Sequence, residues 1–530
     1  MLATLALAGA GTVRLPARAQ SADVWSPTDG LRVAGPISGL EPFDPALARD
    51  VQQLPVLRQV FRGLTSFTPE MGTTPDLAAE ITPSSDATRY EIVLREDIAF
   101  HDGRAITSGD VLASFVRALS PSIASGDRSA LVAATYLGGI VGAQEVLDGT
   151  ATTLRGFVQT SDRAFTIELI VPDAAFPQKL ASVAASVVDA QTWGTTVFPN
   201  GSGPYRVTAY DAASTLDLMR SDGWWGETPA IERVTIRLGN AATQPVNLFQ
   251  AGDIDLVDGM TADAMRLLTD PASGAAIGEV IETPLFSLTY LALGTQTAPL
   301  DDVHVRRAIQ RMFPVATFAA AGSGNVVAAE GVIPPGMLGE TWAAMLPPID
   351  IDAARAELAQ SRYGDASSVP PITVFTGQMS PADPLHNVGV ALQELVGEPL
   401  GLTIEPVGVE WGDFLSGLPQ GRFPTYGITW VADYPDPEAM LGVLFGSDSS
   451  ENYSGYANPE FDALLAAAQT AGEEQERIAA FRQAQQVLID DAAVIPLYFD
   501  IGYTALRPGV TGVPVSPIGI LGFEAIRGAS

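Results

Sequence analysis

Residues 423–465 read FPTYGITWVADYPDPEAMLGVLFGSDSSENYSGYANPEFDALL, and this stretch decides the fold. Tyr426 to Val431, with Ile428 and Trp430 prominent, predicts a strand. It runs into Ala432-Asp433-Tyr434-Pro435-Asp436-Pro437, where two prolines stop the ladder and set a rigid turn, holding Asp433 where the strand ends. Further on a helix is predicted: Asn458 can cap it, Pro459 suits the first turn, and Phe461, Leu464, Leu465 and Ala468 fall on one face. An acid beside aromatic residues at a strand end suits recognition of a cationic group.

Other blocks extend the pattern. Residues 75–119 read PDLAAEITPSSDATRYEIVLREDIAFHDGRAITSGDVLASFVRAL, and residues 201–226 contain GSGPYRVTAY followed by RSDGWWG. Gln250 to Asp255 reads QAGDID, and Asp301 to Ala308 reads DDVHVRRA. Together with the W-x-x-D-Y-P-D-P turn and the N-Y-S-G-Y-A-N-P-E-F-D run, these blocks resemble, in order and from about residue 31 to 505, the family 5 solute-binding proteins. Those are the peptide- and nickel-type receptors of ATP-driven importers. The resemblance implies an α/β, periplasmic-binding-protein-like two-lobed (type II) fold with an extra small domain inserted in the first lobe. It also implies a ligand held in the cleft between the lobes.

Composition bounds the rest. At 530 residues the chain exceeds one ordinary core, so two or three domains are expected. Beyond the amino terminus no stretch approaches the roughly 18 apolar residues of a membrane span. Cysteine is absent, which removes disulfides and thiolate chemistry. The formal net charge of −32 argues against nucleic acid, whose phosphates would be repelled over the whole surface. Arginine supplies nearly all the positive charge, Lys179 being the one lysine.

Residues 1–19 are expected to be a signal peptide, possibly truncated: a short apolar core precedes Ala17-Arg18-Ala19, a small-x-small cleavage site before Gln20. No cysteine follows that site, which points to a free periplasmic protein. Segments 20–66, 191–293 and 496–530 are expected to form the discontinuous core of lobe I, 67–190 its additional small α/β domain, and 294–495 lobe II. Within 67–190, Tyr90, Ile92 and Leu94 alternate, as do Phe165, Ile167 and Leu169, predicting half-buried strands. Thr107 to Asp110 has capping-box spacing before Val111, Leu112, Phe115 and Leu119. In the later part, helices are predicted over 352–360 and 473–491, and strands over 402–409 and 494–499.

Four residues are candidates for ligand binding. Asp433 comes first, because a buried carboxylate is the natural counter-charge for the ammonium of a peptide. In the oligopeptide- and dipeptide-binding relatives the acid of this turn grips the ligand α-amino group, and Asp433 stands in the matching place. Trp430 and Trp411 offer indole surfaces that cover a ligand without demanding one identity. Trp411 lies in VEWGDFL, similar to an E-W-x-x-F-L segment of the oligopeptide receptors, nineteen residues before Trp430. Tyr434 adjoins the carboxylate. For each of these four, turn formation or core packing is the competing role. One departure stands out: the oligopeptide receptors carry an arginine six residues before the amine-binding acid, and this chain has Gly427 there. How a ligand carboxyl end is held is therefore open, with Arg422 nearby.

Enzyme signatures are missing. There is no G-x-S-x-G elbow and no H-E-x-x-H, and His101, His304 and His386 lie far apart. No metal and no cofactor are expected. His101, in Phe100-His101-Asp102-Gly103, reads as structural and His304 as a surface residue. The expectation is a monomeric, non-enzymatic receptor that binds a peptide or other small solute and delivers it to the membrane permease of an importer. Same-family receptors for a nickel chelate, oligosaccharide or opine, and a secreted two-lobed hydrolase, remain as alternatives.

Overall fold

Alternating and continuous apolar runs become two kinds of sheet in the computed structural model. It describes residues 25–529 except 36–39, 41–42, 49–52, 125–130, 197, 261, 271–276, 322–325, 345, 379–386, 433, 450, 472 and 521, together with residues 11–13. The expected leader cleavage site and His386 lie outside the described residues. The chain divides into two compact units: Pro284–Ile501 forms one, and the other is discontinuous, with Ala8–Thr283 and Gly502–Ser530.

In the discontinuous unit, Leu31–Ala34 pairs in parallel with Arg233–Arg237, which continues antiparallel through Thr215–Arg220 to Tyr205–Asp211. Leu256–Met260 flanks Leu31–Ala34 on the other side. Leu31, Val33, Leu216, Leu218, Val234 and Ile236 point into one buried cluster with Trp25 and Val60. Residues 78–168 carry a second sheet, ordered Ala78–Pro83, Arg89–Leu94, Ala164–Glu168, Phe157–Ser161, all antiparallel. Arg89–Leu94 buries every second residue, as Tyr90, Ile92 and Leu94 predict. The helix Ser108–Leu119 starts at the expected capping box, with the Thr107 amide donating to Asp110 Oδ2 at 2.9 Å. It lays Val111, Phe115 and Leu119 against this sheet, Phe115 meeting Phe157 edge-on at 6.5 Å.

The GSGPY block has a packing explanation. The amides of Ser202 and Gly203 both donate to Val60 O, at 2.9 Å each. That carbonyl ends the helix Leu54–Val60, whose last carbonyls lack partners within the helix. A Cβ on Gly201 would lie 2.0 Å from Val60 O, and one on Gly203 2.2 Å from Gln59 O, so only glycine admits the approach.

In the Pro284–Ile501 unit the sheet runs Ile404–Glu410, Ile372–Gln378, Tyr426–Val431, Ser287–Ala292 and the first half of Val494–Leu506. The first three strands are mutually parallel; the others are antiparallel to their neighbours. Ser287–Ala292 is buried at all six positions, because both of its faces are covered. Leu291 joins the core formed with Val303–Gln310 and Ile351–Gln360, whereas Tyr290 meets Phe445 of the helix Glu438–Phe445 at 5.8 Å. Pro459–Thr470 begins as expected, the Asn458 side chain accepting from the amides of Glu460 and Phe461. Glu474–Asp490 buries Ile478, Phe481, Ala484 and Leu488. The last strand is longer than the run 494–499 suggests, since Val494 to Leu506 is continuous.

Candidate functional site

The strand Tyr426–Val431 takes its place because both of its edges are paired. Ser287–Ala292 lies antiparallel on one side, with Trp430 opposite Leu288, and Ile372–Gln378 lies parallel on the other, with Thr376 opposite Gly427. A hydroxyl pair, Thr289 Oγ1 and Thr429 Oγ1 at 2.6 Å, fixes the register from the side chains. The three parallel strands all point their carboxyl ends the same way. Ile404–Glu410 ends at Trp411, and Tyr426–Val431 ends at the D-Y-P-D-P turn. In open α/β sheets, ligands bind outside the carboxyl ends of the strands.

Trp411 opens the helix Trp411–Gly417, whose start is capped by Glu410, Oε2 accepting from the Asp413 amide at 3.0 Å. Its indole stacks toward Phe414 at 6.0 Å and lies over the end of the neighbouring strand. A Cβ on Gly377 would be 2.4 Å from Trp411 Cε3, so the glycine makes room for the ring. Trp430 is partly exposed, and its Nε1 donates to Ala439 O at 3.1 Å, bracing the strand end against the helix Glu438–Phe445.

The turn is locked from behind. Tyr434 is buried, and its hydroxyl donates to the Glu438 carboxylate. Asp436 is fully buried: Oδ1 accepts from the Glu438 amide at 3.0 Å, and Oδ2 lies 2.6 Å from Arg477 Nη1. Asp436 thus has two structural contacts, a hydrogen bond from the first amide of the helix Glu438–Phe445 and an ion pair to Arg477 of Glu474–Asp490. Asp433, the leading sequence candidate, lies outside the described residues. Gly427 stands in the strand opposite Leu291. Arg422, the nearby cation, makes a two-pronged pair with Asp413 at 2.8 and 3.0 Å, both side chains well exposed.

The two described histidines are tied up elsewhere. His101 Nε2 sits 3.0 Å from Gly203 O, and burial holds its pKa down at about 4. His304 is part-exposed, and its Nδ1 lies 2.8 Å from Glu357 Oε2. Among the described residues no group of three or more His, Cys, Asp or Glu side chains could hold a metal ion. None of their helices is long and apolar enough to cross a membrane. Two parts of the site were not singled out in the sequence, Gly377 beneath Trp411 and Arg477 behind the turn. A lone glycine after the β-branched and aromatic run Ile372 to Thr376 is the signal that could have found the first.

Comparison with known proteins bears on the fold and the family. Heme-binding protein A of Haemophilus influenzae is 26% identical over 502 residues, covering 89% of this chain and 87% of its own. The periplasmic oligopeptide-binding protein of Escherichia coli K12 is 26% identical, covering 90% and 88%. Among solved structures, the unliganded open form of a periplasmic murein tripeptide binding protein matches with a TM-score of 0.77 at 23% identity, over 96% of this chain and 99% of that one. The clavulanic acid biosynthesis oligopeptide binding protein 2 matches with a TM-score of 0.80 at 21% identity, over 94% and 95%. The fold is therefore the periplasmic-binding-protein-like α/β fold expected. The family model described as bacterial extracellular solute-binding proteins, family 5 Middle, matches residues 72–452, and the chain belongs to that family.

Proposed function

We propose that this protein is the extracytoplasmic receptor of an ATP-binding-cassette importer, binding peptides and handing them to the membrane permease without chemical change. The observation that carries the reading is that Trp411, Trp430 and the Y-P-D-P turn all stand at the carboxyl ends of three parallel strands. Relatives named for oligopeptide and dipeptide binding support the ligand class. In this reading Asp433 supplies the counter-charge for the peptide ammonium, Trp411 and Trp430 cover the ligand, and Tyr434 completes the turn. The receptor acts as a periplasmic monomer.

Mass spectrometry of ligand retained by the natively purified protein identifies the solute. Calorimetry then tests the anchor. Asp433→Asn keeps the shape and removes the charge, and should weaken peptide binding by about 2–4 kcal/mol, roughly 30- to 1000-fold. Amino-terminally acetylated peptides should bind the parent poorly and lose much less in the variant. Equal binding of free and acetylated peptides by the parent would remove Asp433 as the amine anchor, and failure of both to bind would remove peptides as the ligand class. A retained porphyrin, metal chelate or sugar would redirect the assignment within the family.

A further inference from the structure

In the discontinuous unit four charged side chains meet at one cavity. Arg58 comes from the helix Leu54–Val60, Arg62 from just beyond it, Asp76 from the loop before Ala78–Pro83, and Glu524 from the carboxyl-terminal segment. Arg62 satisfies half of each acid: Nε donates to Asp76 Oδ2 at 2.7 Å, and Nη1 to Glu524 Oε1 at 3.2 Å. The other oxygens, Asp76 Oδ1 and Glu524 Oε2, are enclosed without a hydrogen-bond partner, and so is Arg58 Nη1. Asp76 is 1% exposed. The Arg58 guanidinium is steadied by Phe67, its Cζ 5.8 Å from the ring centroid.

Enclosed polar atoms without partners are costly, and more so when charged. Three of them around one cavity define what would fit. The complement must present an acceptor to Arg58 and donors to both acids. A simple anion would face two free carboxylate oxygens, and a simple cation would face two guanidiniums. The four charges sum to zero, which suits a molecule that is itself neutral overall but charged at both ends. The cavity volume is about 60 Å³. At roughly 10–15 Å³ per water-sized position, that is space for about four to six heavy atoms. Burial and the nearby Arg62 charge pull Arg58 down to about 10, which leaves it cationic at neutral pH.

We propose that this cavity binds a small zwitterion, a free amino acid of glycine or β-alanine size, with its carboxylate on Arg58 and its ammonium on Asp76 and Glu524. All of the cavity's charged lining belongs to the discontinuous unit. Its occupant closes the hydrogen bonding of the segment that joins Arg58 to the carboxyl-terminal Glu524.

Equilibrium dialysis of the full chain with isotopically labelled glycine or β-alanine tests it, with acetate and methylammonium as one-ended probes. Saturable amino-acid binding is expected, at least about tenfold tighter than either probe. Arg58→Gln and Glu524→Gln should each weaken it at least about tenfold, and Asp433→Asn should leave it unchanged. Where Arg58→Gln does not fold, as judged by its melt, Glu524→Gln carries the test. Absence of saturable binding up to about 10 mM would mean water alone fills the cavity and would overturn the proposal. Acetate binding as tightly as glycine would overturn it in favour of an anion site. Amino-acid binding lost in Asp433→Asn but kept in Arg58→Gln would also overturn it, placing the amino acid at the proposed peptide site.

Discussion

Replacing Asp436 by Asn isolates one charge in the core behind the D-Y-P-D-P turn. The amide keeps the shape, and its Oδ1 can still accept from the Glu438 amide, so the bond to the helix start survives. What disappears is one ionic partner of Arg477, whose side chain is only 9% exposed and lies 2.6 Å away. At that distance and an effective dielectric of about 20, the gross attraction is roughly 6 kcal/mol. A neutral hydrogen bond returns part of it. Breaking one side of a buried pair costs about 3–5 kcal/mol, in keeping with that figure. With a denaturant slope of about 2–3 kcal/mol/M in urea, the unfolding midpoint should fall by roughly 1–2.5 M. Urea titrations of the ligand-free protein, followed by tryptophan fluorescence, measure this. Trp411 and Trp430 report on the unit that contains the pair. Adding Arg477→Met removes the other half of the same pair, so the double variant should recover at least about 1 kcal/mol relative to the sum of the singles. A loss under about 1 kcal/mol for Asp436→Asn, or strict additivity in the double variant, would refute the pair as an anchor of the turn.

Three further outcomes are expected. Gly377→Ala sets a Cβ 2.4 Å from Trp411 and 2.9 Å from Phe414, and should cost about 1–3 kcal/mol in a melt and weaken ligand binding in calorimetry; an unperturbed variant would mean the ring yields freely. Gly203→Ala, 2.2 Å from the Gln59 carbonyl, should cost more than about 2 kcal/mol, whereas Gly223→Ala, with no atom within 4 Å, should be neutral; equal melts would contradict this. His101 has a folded-state pKa of about 4 because burial disfavours its charged form, against about 6.5 when unfolded. The unfolded chain therefore takes up the proton first, and stability falls as pH drops from about 6.5 toward 4, by up to about 3 kcal/mol. His101→Gln should flatten the pH–stability curve in that window, and an unchanged slope would show that other groups set it.

Local chemistry was readable in the sequence wherever a few adjacent residues decide the outcome. The strand Tyr426–Val431 stops at its prolines, Asn458 caps its helix, and Thr107 and Asp110 form their box, because each depends on neighbours within four residues. Partners far along the chain were not readable. Nothing near Asp436 announces Arg477, and nothing near Trp411 announces that its ring rests on Gly377 from another strand. The strand 494–506 ran past its expected end because Asp500, polar enough to suggest a stop, is accommodated by the Ser287 hydroxyl at 2.7 Å. The blocks carrying the family resemblance had partly structural causes. The glycines of GSGPY serve a helix end, and the second proline-bounded acid of the turn serves an ion pair.

The fork of two amides on Val60 O also sets an order of events during folding. Alongside it, the Arg62 amide donates to Ser202 Oγ across 140 residues of sequence. Closing so long a loop in a flexible chain costs about 4 kcal/mol of entropy beyond a fixed constant. The glycine-lined docking onto the helix end should therefore form late, after the sheet of residues 78–168 has shortened the path between its two sides. A substitution at Gly201 or Gly203 would then speed unfolding and leave the folding rate nearly untouched.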